Sequence, residues 1–297
     1  MSYLAFVRKK KKFDVLLTHS FFSIEMHPFF RGPVCNEAFT ITFGDQAENH
    51  KGMQIIGKLA TKGMSITQLE ACQVKLTALG IKCKLIDLGT LLPGTAVSQA
   101  AVLVITGGIN AFVNDGEKMI YKELRSMPKD TTYRTQDGNV LPKSARHNNT
   151  MADFHQEPDI LNGKGTIVNF KDYPKTSELR DAIADLISVP SLVGELNHYY
   201  DADKCSINYH GDAERRIVVG ARFGYGANNF PLKFQWYKSG KPIGCEGKIA
   251  LNAGDVYIMS EKAVGHDTYK EWWAPTLRHS AGRDRGLKRK YDRVSLL

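Results

Sequence analysis

No pair of cysteines stands at CxxC spacing: the five, at 35, 72, 83, 205 and 245, are an odd number scattered over 297 residues. That argues against a disulfide framework or a zinc knuckle and leaves a reducing intracellular compartment, cytoplasmic or nuclear, as the expectation. No apolar run approaches the ~20 residues that span a bilayer, and the apolar-basic-apolar N-terminus lacks a secretory core, so no membrane association is expected. Neither a full GxGxxG nor a Walker lysine follows Gly107-Gly108, which therefore reads as a plain turn without a cofactor. Compositional bias is missing too: 42% hydrophobic and 24% charged residues exclude neither one domain nor two, but they do not describe a disordered or fibrous chain.

What is present in excess is positive charge. A formal balance of +9 favours a polyanionic partner, because each neutralised phosphate releases counterions. Much of it sits in the run Arg8-Lys9-Lys10-Lys11-Lys12 and in the tail from Arg283 to Arg293, where solvated ends are the plainer reading. Nucleic acid, DNA or RNA, is the expected partner, and Lys9 to Lys12 resembles a short nuclear signal. Oligomeric state is left open.

Three regions emerge along the chain. Residues 1–125 have α/β character: Ser65 caps a helix that runs to Leu79 and ends at Gly80, then Ile81 to Ile86 and Ala100 to Thr106 read as strands. Residues 126–175 are rich in Pro, Asn, Asp, Gly, Arg and His and read as a loop-rich connector or lid. A helix over Ser177 to Leu186 opens residues 176–297. Short alternating runs follow it, at Glu195 to Tyr200, Ser206 to Tyr209, Ile217 to Phe223, Leu232 to Tyr237, Ile249 to Leu251, Val256 to Met259 and Thr276 to His279. Strands so short and evenly spaced suggest a sandwich or jelly roll.

The chemistry concentrates in that last region. His210-Gly211-Asp212 puts two metal-capable side chains two residues apart, hence on one face of a strand. Two histidines and a carboxylate make the facial triad of non-heme Fe(II) oxygenases. His266, reached after the turn and strand Gly254 to Ser260, is the expected third ligand. His279 is the rival, set aside because it directly follows Arg278, the cation wanted in the pocket, and has no arginine at a matching distance beyond it. Arg278 lies in an apolar strand and would meet a carboxylate bidentately.

In this order, HxD, distal His, Arg, the chain resembles the AlkB-like family of 2-oxoglutarate dioxygenases over roughly residues 190 to 285. The matching residues are Asn197-His198-Tyr199, His210 to Arg215, Gly254-Asp255, His266 and Arg278. The resemblance implies an α+β fold, with a double-stranded β-helix core behind an N-terminal α/β extension. It also implies Fe(II), 2-oxoglutarate and dioxygen as cofactors, with ascorbate as a stimulant. Asn197 and Tyr199 would contact 2-oxoglutarate, and Glu214 matches an acidic position that reads the damaged base in some members. The family's second arginine falls here on Asp284, between Arg283 and Arg285. The implied activity is oxidation of methyl or alkyl groups on nucleic acid bases, as in demethylation or DNA repair. Tyr133 and Arg146, in a basic, aromatic-bearing loop set, are candidates for substrate contact. Two alternatives remain: a hydroxylase of protein side chains or small molecules on the same metal core, and a non-catalytic jelly-roll binding module.

Overall fold

A computed structural model describes residues 36–94, 99–271, 273–282 and 293–296. The basic run Arg8 to Lys12, Phe21, Phe22, Phe29, Phe30, Trp272, Arg283, Asp284 and Arg285 lie outside the described residues. Two sheets dominate. The larger has eight strands, in the spatial order β4 (Cys83–Asp87), β5 (Ala101–Ile105), β15 (Val256–Met259), β12 (Val218–Phe223), β1 (Ala38–Gly44), β10 (Val193–Tyr199), β8 (His147–Ala152) and β9 (Ile167–Asn169). The smaller has five: β11 (Ser206–His210), β16 (Thr276–Gly282), β13 (Leu232–Lys238), β14 (Lys241–Ile249) and β17 (Arg293–Ser295). Two hairpins stand apart, β2 (Gln46–Glu48) with β3 (Ile55–Gly57), and β6 (Thr132–Arg134) with β7 (Val140–Pro142).

Strand alternation assigns the large sheet two different faces. Phe39, Ile41 and Phe43 of β1, Val219, Ala221 and Phe223 of β12, and Val256 and Ile258 of β15 pack on one side with helix residues. The helices are α1 (Ile66–Ala78), α2 (Gly108–Phe112), α3 (Gly116–Ser126) and α4 (Pro174–Ile187), which bury Leu69, Ile109, Ile120 and Leu179 there. The opposite side meets the small sheet: Val102, Val104, Val218 and Met259 pack with Phe234, Trp236, Ile249 and Leu277. A single turn, α5 (Glu261–Val264), joins β15 to the strand that returns, β16. The result is a mixed α+β architecture of helices, large sheet and small sheet. Neither sheet closes into a barrel among the described residues.

Local signals in the sequence explain the elements they surround. Ser65 accepts from the Gln68 amide at 3.2 Å while Gln68 Oε1 accepts from the Ser65 amide at 2.9 Å, a reciprocal cap that starts α1. Pro174 enters α4 in its first turn, where it loses no helical hydrogen bond. The expected partition at residues 125 and 175 is not a partition of the structure. β1 lies between β10 and β12, β5 pairs with β15, and β8 pairs with β10, and Cys35–Leu297 forms one compact unit. Thus the N-terminal half, read as an extension, supplies the central strand β1 and the two strands at one end of the large sheet, and residues 126–175 supply the two at the other end. Among the described residues no helix is long and apolar enough to cross a membrane.

Candidate metal centre and the cavity behind it

His210 is the last residue of β11 and stands directly opposite His279 of β16, so the two rings meet with centroids 4.4 Å apart. Asp212 completes the group. Its Oδ1 lies 3.3 Å from His210 Nε2 and 3.6 Å from His279 Nε2, and one ligand atom from each of the three falls within 4.8 Å of the others. His210 Nδ1 lies 2.8 Å from the Asn208 carbonyl, a contact that orients the ring and leaves Nε2 toward Asp212. Burial first, then His210, pushes the His279 imidazole down to about 4, so it is neutral near pH 7 with a lone pair to give. Burial opposes ionisation of Asp212, yet His279, Arg215 and His210 together hold its carboxyl well below the usual range.

The expected third ligand, His266, is elsewhere. Its Nδ1 lies 3.1 Å from the Arg215 carbonyl and its Nε2 3.2 Å from Lys270 Nζ, in a different surface depression with Arg216, Glu261 and Asp267. His266 instead helps build the turn on which the motif rests. Gly211 is needed in that turn, since a Cβ there would meet the Gly265 carbonyl at 2.2 Å and Thr268 Oγ1 at 2.3 Å.

Arg278 is likewise displaced, and for the same reason that His279 is recruited. Neighbours in a strand point to opposite faces. Leu277 and His279 point between the sheets, so Arg278 points out, with its guanidinium 4.3 Å from the Tyr237 ring. It does not line the cavity.

That cavity, about 620 Å³, opens beside His210, Asp212 and His279. On the large sheet Asn197, Thr40 and Arg222 are cross-strand partners in one row, all lining it. Arg222 is 1% exposed, and its Nε and one terminal nitrogen have no hydrogen-bond partner, nor does Thr40 Oγ1 beside it. No carboxylate among the described residues pairs with Arg222, and burial pushes even its guanidinium down from the usual range. A buried, unpaired guanidinium is costly, and an anion in the cavity would relieve that cost. Gly220 leaves room for the Tyr257 ring, which a Cβ would meet at 2.0 Å. Burial raises the Tyr199 and Tyr257 phenols, which therefore stay protonated.

The remaining expected residues divide. Asn197 and Tyr199 line the cavity, as do Glu214 and Arg146, and Arg146 Nε donates to Asn197 Oδ1. Tyr133 does not line it, but its ring stacks at 3.7 Å on His50, which does. The β2–β3 turn contributes Glu48, His50 and Lys51 to the mouth, and Tyr269 adds a half-exposed ring. Sequence reading missed Arg222 and Thr40. The signal was present in the alternation of Val218 to Phe223, where an arginine shares the inward face with Val218.

No protein-family model matches the chain. A protein of Acanthamoeba polyphaga mimivirus described as "Uncharacterized protein R156" is similar to it: 39% of 255 aligned residues are identical, over 85% of this chain and 98% of the mimivirus protein.

Proposed function

The chain belongs to the same family as the mimivirus protein R156, and from the site it carries we propose that it is an Fe(II)- and 2-oxoglutarate-dependent dioxygenase. One observation carries the reading: two imidazoles and a carboxylate converge on a cavity whose far wall holds a buried, unpaired guanidinium. The donor set fits the group. Two imidazole nitrogens and one carboxylate oxygen suit non-heme Fe(II) and leave coordination positions for a bidentate oxoacid and dioxygen. His210, Asp212 and His279 would hold the metal, each through one atom.

Arg222, with Thr40, would bind the far carboxylate of 2-oxoglutarate, replacing Arg278 in that role. Asn197, held by Arg146, and Tyr199 line the wall between. When bound, iron, 2-oxoglutarate and dioxygen supply an oxidant for unactivated C–H bonds, with succinate and carbon dioxide as co-products. The protein would present the substrate's carbon at the cavity's mouth.

The winding supports the same reading. From β10 onward the chain passes from large sheet to small and back: β10, β11, β12, the pair β13–β14, β15, β16. This alternation supports reading the two sheets as a jelly-roll core, with β1 inserted beside β12. Methylated or alkylated nucleic acid is the proposed substrate class. The +9 balance and a mouth that mixes His50 and Tyr269 with Lys51 and Arg146 suit a planar base on a phosphate backbone. The test is succinate release from 2-oxoglutarate by Fe(II)-loaded protein with methylated DNA, methylated RNA, or neither. Turnover lost in His210→Ala and stimulated by an oligonucleotide supports the proposal; no metal binding and no turnover refutes it.

A further inference from the structure

Three carboxylates and two arginines form a ladder from the metal centre to the β6–β7 hairpin, whose Gln136 lines the cavity. Asp212 Oδ2 lies 3.6 Å from Arg215 Nε. Arg215 also reaches Glu214 at 2.8 Å and Glu195 Oε2 at 2.7 Å. The other oxygen of Glu195 takes Arg146 at 3.2 Å and the Asn148 side-chain amide at 3.3 Å. Asn148 Oδ1 accepts from Lys143, whose ammonium also donates to Asn49 Oδ1 at 2.6 Å. Lys143 and Arg146 are the residues on which the β6–β7 hairpin returns to the sheet. Glu195 thus touches both the arginine behind Asp212 and the stem of that hairpin.

Burial gives the ladder its force. Glu195, Arg215 and Asp212 are all under 9% exposed, so each charge depends on its partners and loss of one leaves another uncompensated. Three acids (Asp212, Glu214, Glu195) alternate with two arginines (Arg215, Arg146), with Lys143 at the far end of the ladder. A dication at Asp212 would add positive charge at its metal end. Its arrival changes the balance at every rung, ending at Arg146.

Resting on the metal-centre reading above, we propose that Glu195 is a positioning residue that ties metal occupancy at His210, Asp212 and His279 to docking of the β6–β7 hairpin over the cavity. Through Arg215 it fixes the rotamer of Asp212; through Arg146 and Asn148 it holds the hairpin stem.

The test uses Co(II) as a spectroscopic probe on the full chain, with trypsin cleavage after Arg134 reporting the hairpin. In the wild-type protein, Co(II) slows that cleavage. Glu195→Gln lowers Co(II) affinity by about 10- to 100-fold, changes the visible Co(II) spectrum at saturating metal, and removes the metal-dependent protection. Lost stability alone would not alter the saturated spectrum. Arg146→Met, which leaves Arg215 and Glu195 in place, keeps the saturated Co(II) spectrum of the wild type but loses the protection, and it serves if Glu195→Gln does not fold. Wild-type affinity and spectrum in Glu195→Gln, or full protection in Arg146→Met, overturns the inference while the metal centre stands. Absence of Co(II) binding by the wild-type protein overturns the metal-centre reading itself.

Discussion

Replacing Arg222 by methionine should move two properties in opposite directions. In the ligand-free protein the guanidinium leaves two buried nitrogens without partners, and each such group costs about 1–3 kcal/mol. Methionine removes both and keeps an unbranched stem. Against this, the contact of the guanidinium with Phe230, 5.2 Å to the ring centroid, is lost at about 0.5–2 kcal/mol. The balance favours Arg222→Met by up to about 5 kcal/mol, which raises the melting midpoint by about 2–4 °C per kcal/mol for a domain near this size. Binding should go the other way. Loss of a buried charge pair with the far carboxylate of 2-oxoglutarate costs about 2–5 kcal/mol, or about 30- to 4,000-fold in Kd. Melting curves of the ligand-free protein, and calorimetric titration of the Mn(II)-loaded protein with 2-oxoglutarate, measure the two. Arg278→Ala is the control and should leave 2-oxoglutarate affinity unchanged. The reasoning is refuted if Arg222→Met destabilises the ligand-free protein and binds 2-oxoglutarate as the wild type does.

Gly211→Ala should lose about 1–3 kcal/mol of stability from overpacking, because the added methyl meets backbone at 2.2 Å; chemical denaturation measures it, and metal binding should weaken alongside. Lys143 predicts a pH dependence. Burial pushes its ammonium down to about 8 from 10.5, so between those values the unfolded chain binds the proton that the folded chain has released, and stability rises with pH. The rise is about 3 kcal/mol from pH 8 to 10.5, and Lys143→Met should flatten that part of the profile relative to the wild type.

Much of the fold was legible because it rests on short-range rules. The Ser65 cap, the alternation of β12, β13 and β15, and the apolar run of β5 appear where local propensity and pattern agree. The position of β1 was not legible. Residues 38–44 alternate like any half-buried strand, and nothing local says that they insert between β10 and β12. The site shows the same divide. His210 and Asp212 are neighbours in sequence, and their spacing alone puts them on one face. The third ligand depends on the register of β11 against β16, a contact across about seventy residues that spacing cannot reveal. Yet one local rule pointed the right way: Leu277 and His279 share a face, so Arg278 and His279 could not both enter the cavity. Preferring the arginine sacrificed the histidine. Arg222 was hidden because an arginine inside an apolar strand looks like an interruption until burial shows that it has no partner.

The central claim is that His279, not His266, completes the metal centre, and Co(II) titration of His279→Ala and His266→Ala tests it most directly. The account predicts one Co(II) per chain in His266→Ala with affinity near that of the wild type, and binding lost or weakened by at least about 100-fold in His279→Ala. Tight, stoichiometric Co(II) binding by His279→Ala together with its loss in His266→Ala would contradict it.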